Sequence, residues 1–227
     1  MQLIDDIISD ACDSTLPISV VLRRCLVLAF DLDNITLRDW VENELNGYDS
    51  NTELPEYRLY KIVSKGVFLV PYQGQLSDQP LAPGVLSEEH RHWAEQAFLD
   101  QPIIAYELPK DDVHGTVHIA WPPDLTVHYQ TAFFEGLVLN RAWQEIPKSL
   151  FIGLVDIVRN RVLRFALEIR KELGLVGGSA DNLESTKIEQ IVQSQIIGEQ
   201  HNYYNTVNVD TATNSPIQQG SEHSNQR

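Results

Sequence analysis

The side chains of this chain most able to do chemistry are its histidines, its two cysteines and a run of arginines, and their spacing limits what each can do. His90 and His92 stand two positions apart. On a helix that turns their rings roughly 200° away from each other, so they cannot share a metal ion. His114 and His118 fall on one side of a strand, but about 13 Å apart at the rise of extended chain, which is too far to chelate one ion. His118 and His128 would meet only across a hairpin. The histidines are therefore expected to be structural or on the surface, with no metal and no cofactor bound. Cys12 and Cys25 lie in predicted helices without a metal or redox spacing. Both are expected to be reduced, buried thiols.

No nucleophile elbow, phosphate loop, His-Glu-x-x-His helix or dinucleotide turn is present. Gly174-Leu175-Val176-Gly177-Gly178 follows a helix instead of a strand, which makes it a linker. One motif stands out as a candidate binding site, Arg159-Asn160-Arg161-Val162-Leu163-Arg164. Its Arg-Asn start resembles the helix motif of HEPN-class antiviral ribonucleases. Those enzymes place a histidine a few positions later, where this chain has Arg164 or Phe165, and no histidine occurs between Tyr129 and Gln200. A guanidinium does not titrate near neutrality and cannot serve as a general acid or base. Arg159, Asn160 and Arg164 are thus read as binding residues, against the plainer alternative of surface pairs with acids such as Asp156 and Glu168. Glu44 joins them, because its helical phase puts it beside Trp40 and Val41. A carboxylate drawn toward the core needs a partner, and the arginines of the long helix are the candidates. Asp39, Glu42, Asn43 and Asn46 read as a solvated helix face. No catalytic residue is assigned, and the reading leans away from an enzyme.

The elements that must hold these residues can be traced by periodicity. A helix is predicted over residues 2–13, ending at Asp13-Ser14-Thr15-Leu16-Pro17. A second runs over 18–32, with an apolar surface broad enough to need two neighbours. A third, capped by Asn34, carries Leu37, Trp40, Val41, Glu44 and Leu45 to a stop at Gly47. Strands are predicted over 57–63 and 66–70 with a turn at Ser64-Lys65, then a loop to Gly84, a helix from Ser87 to about Leu99, and strands over 102–106 and 113–119. Pattern leaves 125–141 open between strand and helix. The longest helix spans 148–173, with Phe151, Leu154, Val158, Val162, Phe165, Ile169 and Leu173 on one stripe and Arg159, Arg161, Arg164 and Arg170 on the polar side. The Trp40 face is expected to meet this stripe. A shorter, exposed amphipathic helix is expected over 183–197. These elements make an α+β fold: an N-terminal helical bundle closed by a long C-terminal helix, packed on a small, mostly antiparallel sheet, with a polar tail. The expected divisions are a domain over 1–174, a linker with a short helix over 175–198, and a low-complexity tail over 199–227.

The chain has 227 residues, 43% hydrophobic and 22% charged, which suits a globular domain with a real core. No apolar run reaches the length of a membrane span, and Met1-Gln2-Leu3-Ile4-Asp5-Asp6 lacks the basic start of a signal peptide. A cytoplasmic location is expected. The net charge of −15 opposes sequence-independent binding of nucleic acid, which needs surplus Lys and Arg.

Two blocks carry a family resemblance. One holds Leu22-Arg23-Arg24-Cys25, Trp40-Val41-Glu42-Asn43-Glu44-Leu45-Asn46-Gly47-Tyr48 and Leu54-Pro55-Glu56-Tyr57-Arg58; the other holds Asp156-Ile157-Val158-Arg159-Asn160-Arg161 and Phe165-Ala166-Leu167-Glu168. Together they resemble the AbiTii family, a domain of bacterial abortive-infection proteins. The resemblance implies a role in phage defence, as a toxic or effector part of such a system, and supplies no catalytic residues. The tail adds its own reading. Tyr203, Val207 and Val209 lie in a strand-like segment, and Ile217 lies in a second small apolar island. An unpaired strand invites pairing with another chain, so a homo-oligomer is expected, alongside a protein partner from the same defence system. Two alternatives stand beside this reading: an enzymatic toxin, such as a nuclease, assembled only in three dimensions, and a non-toxic structural adaptor.

Overall fold

The computed structural model describes residues 2–72, 74–109, 112, 114–175 and 183–198. Three helices open the chain, α1 (Gln2–Cys12), α2 (Ile18–Asp31) and α3 (Ile35–Asn46). Helix α1 ends where Asp13 folds back on itself, its Oδ1 accepting from the Thr15 N–H at 2.8 Å and the Thr15 hydroxyl at 2.7 Å. Asn34 caps α3 by accepting from the Leu37 N–H at 2.7 Å. Gly47 ends α3 with φ 92° and ψ 168°, a region almost exclusive to glycine. A Cβ there would lie 3.0 Å from both the Asp100 carbonyl and Pro102, so backbone crowding also demands glycine.

A 3-10 turn (Glu56–Arg58) leads into β1 (Leu59–Lys61), which pairs antiparallel with β4 (Gln96–Phe98). A four-stranded antiparallel sheet follows from β2 (Val63–Val70), β3 (Gly74–Pro80), β5 (Thr116–Ala120) and β6 (Val138–Pro147), in the order β3-β2-β6-β5. Short helices α4 (His92–Glu95) and α5 (Pro123–His128) lie against it. Strand β6 runs directly into α6 (Lys148–Leu175), and α7 (Ser185–Val192) ends in a π turn (Gln193–Ile197). The domain is α+β, with N-terminal helices, small antiparallel sheets and one long helix.

The main core gathers the helical faces. Helix α6 packs chiefly on α1 and α2, α3 packs on α2, and the 3-10 turn Ile103–Tyr106 wedges between α2, α3 and α6. Ile7, Ile18, Leu22, Leu37, Leu154, Val158, Val162, Phe165 and Ile169 are fully enclosed there, together with Trp40. A second core holds Phe68, Leu81, Trp121, Leu125, Tyr129 and Leu139 between the sheet and its short helices.

Several local expectations change. Ser64-Lys65 lies inside β2 instead of turning the chain; the reversal comes after Val70, where Tyr72 has φ 61° and Gly74 φ 100°. The expected loop after Pro71 holds β3, an edge strand recognised by its backbone pairing and not by its side chains, which are almost all exposed. The helix expected over 87–99 shrinks to one turn, because Gln96–Phe98 is taken into pairing with β1. Residues 102–106 form a 3-10 turn and not a strand, which puts Ile103 and Tyr106 on one buried side. The open stretch 125–141 holds the end of α5, a run of turns over 129–137 and the start of β6.

Helix α7 is not exposed along its length. Ile188, Ile191, Val192 and Ile196 are buried in the main core, and Glu189 accepts from Asn34 at 2.9 Å and from Thr36 at 3.0 Å. Cys12 is exposed, so only Cys25 behaves as a buried thiol, and burial pushes its pKa up to about 12. No helix among the described residues is long and apolar enough to cross a membrane.

Candidate functional site

Glu44 reaches the core of α3 and is fully buried, as its helical phase requires. Its partner is Arg58 and not an arginine of the long helix. The two make a two-pronged pair, with Arg58 Nη2 donating to Glu44 Oε2 at 2.7 Å and Nε donating to Oε1 at 3.1 Å; both side chains are 0% exposed. The fork geometry of a guanidinium matches a carboxylate, and Oε1 accepts two further bonds. Tyr48 and Tyr57 both donate hydroxyl bonds to Glu44 Oε1, at 2.8 and 2.7 Å. The indole N–H of Trp40 donates to the Tyr57 hydroxyl at 2.8 Å. Arg58 Nη1 donates to the carbonyls of Leu99 and Gln101, and the Arg58 guanidinium lies 4.7 Å from the Tyr48 ring centre.

Burial sets the electrostatics of this cluster. It pushes the Tyr48 and Tyr57 hydroxyls well above their ordinary pKa, and the charge of Glu44 adds to that shift. Burial opposes the charge on Arg58, but the Glu44 carboxylate outweighs it and holds the guanidinium protonated. A carboxylate enclosed on all sides, paired and twice hydrogen-bonded, lies out of a substrate's reach. It ties α3 to the strand segment that begins at Pro55.

Arg161 extends the cluster from α6. It was expected on the polar side of that helix, yet it is 3% exposed, with its guanidinium 4.4 Å from the Tyr57 ring centre. Its Nη1 donates to the carbonyls of Ile196 and Gly198, at the end of the π turn, while Nε is buried without a hydrogen-bond acceptor among the described residues. Burial lowers its pKa, and the nearby Glu44 carboxylate partly restores it. Three segments distant in sequence therefore converge on one polar knot: α3, the stretch after Pro55, and the α6–π turn pair.

The other α6 residues divide. Arg159 donates to the carbonyls of Asp10, Asp13 and Leu16 at 3.3, 3.0 and 2.6 Å, closing the C-terminal end of α1 and the turn into α2. Asn160 and Arg164 are exposed on the outer side of α6. The expected strand residues Tyr203, Val207, Val209 and Ile217 lie outside the described residues. His118 stacks on Trp143, with ring centres 5.3 Å apart, whereas His128 stands edge-on to His90 at 6.0 Å, so the two do not meet. Among the described residues, no group of three or more His, Cys, Asp or Glu side chains comes together to hold a metal ion. The residues missed by sequence reasoning are Arg58, Tyr48, Tyr57 and Arg161. The available signal was Glu44 itself, a buried acid in need of a cation, but helical phase alone could not say which of many arginines would reach it.

Arg159 and Arg164 separate in test. Arg159→Ala strands backbone acceptors at a helix end and is expected to cost about 2 kcal/mol of stability. Arg164→Ala should leave the thermal melt within a degree or two, as surface substitutions do. Equal melts for the two variants would refute the capping role.

The chain belongs to the AbiTii family, whose match covers residues 2–195. Membership places it among proteins of abortive-infection defence against phage. The match takes in α7 and most of the π turn, the same segments that Arg161 holds to the core. No curated protein and no solved structure matches the chain significantly.

Proposed function

We propose that this AbiTii protein acts in phage defence as an effector that works through self-association and partner capture. The observation that carries the reading is the open sheet. Strands β3 and β5 form the two edges of the β3-β2-β6-β5 sheet, with no further strand beyond either among the described residues. Edges of this kind present unpaired backbone donors and acceptors to any strand that can add to them. The segment 203–209 has the alternation of such a strand, and Tyr203, Val207 and Val209 are its apolar positions, with Ile217 in the island that follows. Pairing with an edge on a second copy satisfies the backbone of both. The exposed outer side of α6, with Asn160 and Arg164, serves as the surface for a protein partner of the same defence system.

Light scattering on the full chain and on a chain ending at residue 198 tests this. The full chain is expected to give the larger particle, and equal subunit numbers would remove the tail as an assembly element. Growth arrest on induction then separates a toxic effector from a passive adaptor. Intact RNA in arrested cells would favour assembly over a nuclease.

A further inference from the structure

The four-stranded sheet carries two irregularities at one level, and both flank Val67. On one side, Gly66 pairs with Gln79 and Phe68 with Leu76, so Val67 faces the two residues Ser77 and Asp78 of β3. On the other side, Val67 pairs with Arg141 and Phe68 with Leu139, so Asn140 is the extra residue of β6. Asp78 takes φ 56°, a left-handed angle uncommon outside glycine and tolerated best by aspartate and asparagine. Bulges bend a strand and re-aim its side chains, and they concentrate beside functional sites. Here the two bulges bring Ser77, Asp78, Asn140 and Arg141 to the wall of a single cleft of about 670 Å³, bounded by the sheet and α5. That volume lies in the range of small-molecule sites.

The same cleft is lined by the stacked pair His118 and Trp143, whose ring planes are inclined by 30°. The exposed His118 ring caps the indole. The Trp143 indole N–H is buried with no acceptor among the described residues, whereas the neighbouring Trp121 N–H is satisfied by Ser64 Oγ at 3.1 Å and the Trp93 carbonyl at 3.0 Å. A buried donor left open is one that a ligand or an ordered water completes. The Arg141 side chain is exposed and forms no ion pair or hydrogen bond among the described residues, in a chain of net charge −15 where acids are plentiful.

We propose that this cleft is a binding site for a nucleoside phosphate. Each part of such a ligand has a counterpart: an unpaired guanidinium for the phosphate, a flat aromatic stack for the base, and the Asp78 carboxylate with the Asn140 amide for hydroxyl and amino groups. A mononucleotide fits better than a strand of nucleic acid, because the overall negative charge repels a long polyanion.

Quenching of tryptophan fluorescence and titration calorimetry on the full chain, with ATP, GTP, CTP and UTP as probes, test the assignment. At least one nucleotide is expected to bind at micromolar to sub-millimolar concentration, with Arg141→Ala and His118→Ala each weakening it tenfold or more. Both side chains are exposed, so these variants should keep the parent melt; Arg23→Ala, on α2, should bind as the parent does. No binding of any of the four up to several millimolar overturns the proposal, as does binding unchanged by both substitutions. Ribose 5-phosphate binding as tightly as the best nucleotide would remove the base from recognition and overturn it too. A short oligonucleotide binding more tightly than any mononucleotide would overturn it in favour of a nucleic-acid surface.

Discussion

Replacing Glu44 with Gln, or Arg58 with Met, is expected to destabilise the protein by about 3–5 kcal/mol, because each change leaves one fully buried charge without its partner. At about 2–4 °C per kcal/mol for a chain of this size, the melt should fall by roughly 10 °C. The loss is large because the pair is not isolated. Arg58→Met also strands the carbonyls of Leu99 and Gln101, while Glu44→Gln weakens two tyrosine hydrogen bonds. The double variant Glu44→Gln/Arg58→Met should lose less than the two singles added together, since neither partner is left charged and alone. A melt moved by less than about 3 °C in both single variants would show that the pair opens to solvent in the folded protein.

The second large effect lies in the helical core. Phe165 on α6 is fully enclosed and Trp40 on α3 nearly so, both within one hydrophobic cluster. Truncation of either to alanine leaves a large cavity in close-packed surroundings and is expected to cost about 3–5 kcal/mol. Trp40→Ala should cost more than its volume suggests, because it also removes the indole donor to Tyr57 and so loosens the Glu44 knot. Trp40→Phe separates the two contributions, restoring most of the packing but not the hydrogen bond. If Trp40→Phe melts at the parent temperature, the bond to Tyr57 adds nothing. Thermal shifts below a few degrees for both alanine variants would refute the shared core.

The two predictions meet at one place, where a hydrophobic core and a buried ion pair reinforce each other. An enclosed ion pair hydrogen-bonded from several segments specifies which of them come together more sharply than apolar contact does. In this protein the knot joins α3, the stretch after Pro55 and the α6–π turn pair, and Arg161 ties it to the last described residues before the polar tail. Any tail-mediated assembly therefore starts from an anchored point and not from a loose end.

Helices α1, α2, α3 and α6 were legible in the sequence because their signals are local. Leu3, Ile7, Ile8 and Ala11 repeat at helical spacing, Asn34 supplies a cap, Gly47 a stop, and the Phe151–Leu173 stripe keeps one face apolar for many turns; each is decided by residues within a few positions. The resemblance of two separate blocks to AbiTii was legible for the same reason, and the family match extends it through α7. Glu44 could be singled out as an acid in the wrong place. What only the tertiary structure decided were choices between distant partners. Helical phase buries Glu44 but does not select Arg58 over the arginines of α6, and it placed Arg161 on the wrong side because an arginine reads as polar wherever it lies. Strand β3 has no hydrophobic pattern and exists through its backbone pairing with β2. Gln96–Phe98 leaves the helix because β1 offers it a partner. The bulges around Val67 appear only as a mismatch of register between neighbouring strands. Local sequence sets how a segment folds when its own neighbours suffice; backbone pairing, charge pairing and register belong to segments brought together, and they are settled only when the chain closes on itself.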